Sequence, residues 1–254
     1  MIEWQEQALV VEATKFAEHD ALVAMFTPTR GIVKAIVKGA FSKRQRAGLE
    51  PMTLVEARFQ ARLPEHLGRI AFETMTPYAV RMLDDPLKLT ALSSLATLVK
   101  TSLPEHDPHP ELFTALTHYL EHMAQTTEAR HWLPAFIALE IHLLESLGFG
   151  LDLSRCAATG VREDLRYVSP KSGRAVSGAA GAEYAARLLP LPAFLQGADE
   201  APDWHELADG LRMTGHFLEH WLFSAIHRPL PQLRERLASQ VTRRAAGGTP
   251  LPFS

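Results

Sequence analysis

The chain has 254 residues, of which 46 % are hydrophobic and 22 % charged, with a formal net charge of −3. That balance supplies the core of one large or two modest domains and excludes wholesale disorder. The single cysteine, Cys156, excludes an internal disulfide framework and any zinc site built mainly from thiolates.

Residues 6–75 read as strands. QALVVEATKF, DALVAMFT, GIVKAIVKG, MTLVEARFQAR and LGRIAFETM are short and rich in Val, Ile, Phe and Thr. Turn-type residues separate them: Glu18-His19-Asp20, Pro28-Thr29-Arg30-Gly31, and a stretch holding Gly48 and Pro51. Five such strands predict a small antiparallel barrel, either an oligonucleotide-binding (OB) fold or an SH3-like barrel.

After Tyr78 the periodicity changes. Residues 86–101 and 110–125 read as helices, each opened by a proline in its first turn (Pro86, Pro110). Residues 132–147 are apolar nearly all round, as a central helix would be, and end at Gly148. LRYVSPKSGRAVSG reads as a β-hairpin turning at Pro170–Gly173, and a Pro-rich stretch follows at 190–202. Two more helices are expected at 204–226 and 231–245. The expected class is therefore α+β, with a barrel domain at 1–79 and a helical domain at 80–254 carrying a hairpin module at about 150–180. No stretch reaches the ~18 consecutive apolar residues of a membrane span, and the first residues are partly acidic with no apolar run of leader length, so a cytoplasmic location without membrane attachment is expected.

The mild net acidity makes the distribution of charge decisive. Arg30, Lys34, Lys38, Lys43, Arg44 and Arg46 fall in one run with no acidic residue among them. Lys34 and Lys38 are four apart in a strand and share a face, while Val33, Ala35 and Val37 take the opposite face and fill the barrel. Phe41 adds a ring beside the charges. Cations that track a backbone, with a ring on which bases stack, are the chemistry of single-strand binding. The same lysines would also protect a solvated strand edge from pairing with another chain.

His118 and His122, and again His216 and His220, stand at i and i+4 around a glutamate, the H-x-x-E-H pattern of a zinc hydrolase. Three features count against that chemistry. No third ligand is nominated, the pattern occurs twice where one site needs it once, and both copies are embedded among large apolar residues. Cys156 has Arg155 beside it and no histidine near it, which fits a buried structural thiol. No Walker loop, G-x-G-x-x-G or G-x-S-x-G is present, so nucleotide hydrolysis and serine hydrolysis have no support in the sequence, and no cofactor is expected. Arg234, Arg236, Arg243 and Arg244 in the last helix form a candidate surface for an acidic partner or DNA, or a plain solvated face.

Taken together, the Glu18-His19-Asp20 turn, the T-P-T-R-G turn into the third strand, the K-G-A-F-S-K segment and the L-E-P-M-T-L-V start of the fourth strand resemble the OB domain of the RecO family of bacterial recombination mediators. LPEHDPHPELFTALTHYLEHM and FIALEIHLLESLGFGLDLSRCAATG resemble the helical core of that family. The resemblance covers nearly the whole chain. It implies an OB barrel followed by a helical domain with a ribbon-like hairpin. It also implies binding of single- and double-stranded DNA, strand annealing, capture of the C-terminal tail of single-strand-binding protein (SSB), and, with RecR, assistance in loading RecA. The DNA-contact role carries onto Lys38, Lys43, Arg44 and Arg46. Many members of the family hold zinc between two C-x-x-C pairs in the region matching 156–180. Here the first pair reads Cys156-Ala157-Ala158-Thr159 and the second has no cysteine, so no metal is expected.

Overall fold

The computed structural model describes residues 2–42, 45–63, 67–198 and 200–247. Its chain divides into two compact units, one up to Gln125 and one from Thr126.

In the first unit, β1 (Ile2–Lys15), β2 (Ala21–Thr27), β3 (Gly31–Val37), β4 (Leu54–Ala61) and β5 (Gly68–Thr76) close a barrel in the order β1-β2-β3-β5-β4. β1 is long enough to serve two neighbours. Residues 2–9 pair with β4 and residues 9–15 with β2, the second ladder carrying a register shift between Val10 and Glu12. An irregularity of this kind bends a strand and lets a sheet curl shut. Closure is completed by a short parallel contact, Ala35 with Gly68 and Ile36 with Arg69. This order, with β3 parallel to β5, is the OB arrangement, and it decides between the two barrels left open by the strand pattern.

The interior is filled by small and β-branched side chains, among them Ala8, Val10, Val23, Ala35, Val37, Val55 and Ile70. Val33, Ala35 and Val37 point inward as their alternation requires, and Lys34 and Lys38 are exposed. Gly68 is glycine for a steric reason. A Cβ there would lie 2.2 Å from the ring of Phe59.

Helices α1 (Tyr78–Arg81), α2 (Pro86–Ser102) and α3 (Pro110–Gln125) belong to the same unit. Asp85 caps α2 by accepting from the amides of Leu87 and Lys88. The sequence pattern separates barrel from helices at residue 79. The contacts instead group α1 to α3 with the barrel, because β1 and β2 carry apolar residues on their outer faces as well. Leu9 and Phe26 are both fully buried, and Phe26 meets Phe113 of α3 edge-on, with ring centres 5.6 Å apart.

The second unit is built on α4 (Ala129–Ser146), α6 (Trp204–Phe217) and α7 (Gln232–Ala245). α4 is central, as its composition predicts, and buries Trp132, Leu133, Phe136, Ile137, Leu143 and Leu144. It also buries Glu140, whose carboxylate is met by the Arg234 guanidinium of α7. The expected hairpin forms from β6 (Leu165–Val168) and β7 (Ala175–Ser177), closed by the Gly173 amide donating to the Ser169 carbonyl. A third strand, β8 (Leu189–Pro190), joins β6, and a short α5 (Gly178–Gly181) follows β7. The helix expected at 204–226 changes pitch after α6, where Leu218–Phe223 form a π turn. Gly173 (φ 66°) lies so close to Trp221 of that turn that a Cβ would come within 2.6 Å of its ring.

Candidate nucleic-acid interface

The outer face of β3 carries Lys34, Lys38 follows directly after the strand, and the parallel pairing sets Arg69 of β5 beside Ile36, which lies between the two lysines in sequence. Arg69 is exposed, with no ion-pair partner among the described residues. Two exposed rings accompany these charges. Phe41 (44 % exposed) follows β3, and Phe16 (54 % exposed) sits in the β1–β2 turn. Asp20 ties the two loops together, accepting from Lys38 Nζ at 2.5 Å and from the Gly39 amide at 3.1 Å. The hydrogen bond from Lys38 holds the Asp20 carboxyl below its ordinary pKa, against the opposing effect of burial and with help from the Gly39 amide.

Two further predicted cations are engaged within the protein. Lys34 Nζ lies 2.5 Å from Glu105. Arg30 lies 3.3 Å from Glu6 and stacks over Trp4 at 5.2 Å, while Trp4 in turn stacks on Phe59 at 5.0 Å. Arg30 is therefore part of a stacked column with Trp4 and Phe59, and Trp4, sandwiched between two neighbours, offers no open face to a base. Arg46 is exposed on a 3-10 turn (Arg46–Leu49), at the rim of an apolar groove of about 550 Å³ that includes Val80, Leu83 and Leu92. Lys43 and Arg44 lie outside the described residues.

Sequence reasoning missed Phe16 and Arg69. Arg69 was legible in the alternation of β5, where Ile70 points inward and its neighbour must point out. Phe16 closes a hydrophobic run and reads as a core residue, and only the turn geometry exposes it.

The C-terminal arginines do not form one surface. Arg234 is a correction: it is 1 % exposed, and its guanidinium donates to Glu140, to the Leu211 carbonyl (2.8 Å) and to Thr214 Oγ1 (3.1 Å). It cannot meet a partner. Its place follows from helical spacing, since Arg234, Leu237 and Val241 share the buried face of α7. Arg236 and Arg243 are exposed, while Arg244 is half-buried over the Trp204 ring at 5.5 Å.

The two histidine motifs are engaged differently. Glu121 of the first accepts from Tyr78 and Arg81, each at 3.4 Å. In the second, the rings of His216 and His220 stack 4.3 Å apart, His216 Nε2 donates to the Pro170 carbonyl, and His220 Nδ1 donates to the His216 carbonyl. Burial keeps His216 below its ordinary pKa. Among the described residues no three His, Cys, Asp or Glu side chains converge as a metal site would require.

Cys156 is buried at the base of the hairpin module and accepts the Ser177 amide at 3.2 Å. Burial pushes its thiol pKa up, but hydrogen bonds from Ser177 and Thr159 outweigh it and bring it down to about 6. Thr159 stands where a C-x-x-C pair has its second cysteine. A structural zinc needs four ligands and this module supplies one thiol, so the residues present do not fit the metal. Main-chain bonds close the loops instead, from the Cys156 amide to Val161, Gly160 to Cys156 and Ala157 to Ala175.

The fold and its exposed basic face define an OB-barrel protein with a helical body and a ribbon-like insertion. Two family descriptions match: Recombination protein O N terminal over residues 1–78, and Recombination protein O C terminal over residues 83–228. The chain is 41 % identical to the DNA repair protein RecO of Rhodospirillum rubrum over 97 % of its length and 99 % of the relative's. It is 43 % identical to that of Rhodospirillum centenum (99 % and 100 %), and 42 % identical to that of Phenylobacterium zucineum (92 % and 95 %). The chain belongs to the recombination protein O family, a family of DNA repair and recombination mediators. Among the described residues no helix is long and apolar enough to cross a membrane.

Proposed function

We propose that the chain binds single- and double-stranded DNA through the outer face of its barrel, anneals complementary strands and, with RecR, helps load RecA onto SSB-coated DNA in the bacterial cytoplasm. The observation that carries this reading is the grouping of Lys34 and Arg69 on adjacent strands with Lys38 at the end of the first, accompanied by the exposed rings of Phe16 and Phe41. In OB barrels the β2–β3 face and the loops beside it bind oligonucleotides. Phosphates are held by the cations, and bases stack on exposed rings at about 1–3 kcal/mol each. No bond is made or broken, so no catalytic group is assigned. The SSB tail is acidic and apolar, and Arg236 and Arg243 are the exposed cations of the last helix that remain for it.

A second reading, an adaptor that binds partner proteins and not DNA, is favoured by one observation: Arg30, Lys34 and Lys38 each face a carboxylate of the protein itself. A strand-annealing assay with two complementary labelled oligonucleotides separates the readings. Annealing faster than the spontaneous rate, slowed by Arg69→Ala and by Phe16→Ala, supports the first. Annealing at the spontaneous rate contradicts it.

A further inference from the structure

The carboxylate that faces Lys34 comes from outside the barrel. Between α2 and α3 the chain runs along the edge of β3 that β5 leaves unpaired. Glu105 forms a parallel bridge with Ile32, and the His106 amide donates to the Ile32 carbonyl at 3.1 Å. Glu105 Oε1 reaches Lys34 Nζ at 2.5 Å. Next to it the Asp107 carbonyl lies so close over Gly31 that a Cβ there would come within 2.1 Å of the oxygen, so residue 31 has to be glycine for the segment to lie down. His106 takes a positive φ of 61°, which turns the chain away again.

The attachment is shallow. Leu103 and Leu112 are buried and anchor the two ends, but residues 104–108 are all exposed. Exposed ion pairs contribute little, because water and salt screen them and two long side chains must be ordered. Segments held by few buried contacts open at small cost while the rest of the fold stays intact.

We propose that residues 104–108 are an autoinhibitory strap. The Glu105 carboxylate occupies on Lys34 the place of a DNA phosphate, and DNA must displace it to use that cation. The proposal rests on the barrel face being the DNA-binding surface. It makes the strap a competitor whose removal strengthens binding without adding any contact to DNA.

The test is a double-mutant cycle read by fluorescence anisotropy of a labelled oligothymidylate at low salt. Glu105→Gln tightens binding about two- to fivefold, the range in which an exposed ion pair operates. Lys34→Gln weakens binding. In the Lys34→Gln background Glu105→Gln changes nothing, because the cation it competes for is gone. Amide exchange at His106 supplies a readout independent of overall charge, being faster in Glu105→Gln than in the wild type and faster in the wild type once DNA is bound. An equal gain from Glu105→Gln in both backgrounds means simple charge repulsion and overturns the strap. Wild-type binding that Glu105→Gln leaves unchanged also overturns it, with the DNA-binding reading intact. No binding by the wild type or any variant overturns both.

Discussion

Asp20 and Lys38 join two loops that the barrel strands alone would leave independent. One oxygen of Asp20 takes the lysine and the other takes the amide of Gly39, so the turn carrying Phe16 is fixed to the segment that leads to Phe41. Because Lys38 holds the Asp20 pKa below its ordinary value, the pair stabilises the fold above the ordinary aspartate pKa of about 3.9, and that contribution is lost as pH falls through the lower folded-state value. Asp20→Asn is therefore expected to lower Tm at neutral pH and to flatten the loss of Tm on acidification. Thermal melts of both proteins from neutral pH downward check this, and parallel curves would contradict it.

The Glu140–Arg234 pair presents the opposite case, a salt bridge with both partners buried. Removing one partner strands a charge in the core, at a cost of about 3–5 kcal/mol. Glu140→Leu alone and Arg234→Met alone are expected to destabilise the chain by that amount in urea unfolding. The double variant, which removes both charges, should lie closer to the wild type than either single one. Arg236→Ala, on the exposed face of the same helix, should stay within about 0.5 kcal/mol. A double variant as unstable as the sum of the singles would show that the two side chains contribute independently, and would contradict the stranded-charge account.

Cys156 links the hairpin module to pH. Its folded-state pKa of about 6 lies below the ordinary thiol value of about 8.5. A depressed pKa stabilises the fold above the unfolded value, and the contribution shrinks as pH falls toward 6. The stability difference between the wild type and Cys156→Ala should thus grow as pH is raised from about 6 to about 8.5. A difference independent of pH across that window would mean that the sulfur acts by packing alone.

Much of the barrel was legible because strand alternation is a local signal. Val33, Lys34 and Ala35 reveal their faces without any knowledge of the rest of the chain. The choice between an OB and an SH3-like barrel was not legible, since it depends on Ile36 meeting Arg69 across a parallel pairing that no local pattern encodes. The site shows the same division. The basic run stood out, but its neutralisation by Glu6 and Glu105 did not, because those carboxylates reach Arg30 and Lys34 only through the fold. Arg234 could have been placed correctly. A glutamate in the middle of the apolar α4 needs a buried cation, and Arg234 shares its helix face with Leu237 and Val241.

The central claim is that the barrel face holds DNA by its phosphates. The most direct measurement is anisotropy of a labelled single-stranded oligonucleotide over a series of salt concentrations, for the wild type and for a variant carrying Lys34→Ala, Lys38→Ala and Arg69→Ala. Each cation that neutralises a phosphate of a single strand steepens the fall of log affinity with log salt by about 0.7. The account predicts weaker binding by the variant and a salt slope shallower by about two. Equal slopes in the two proteins would place the phosphates elsewhere and contradict it.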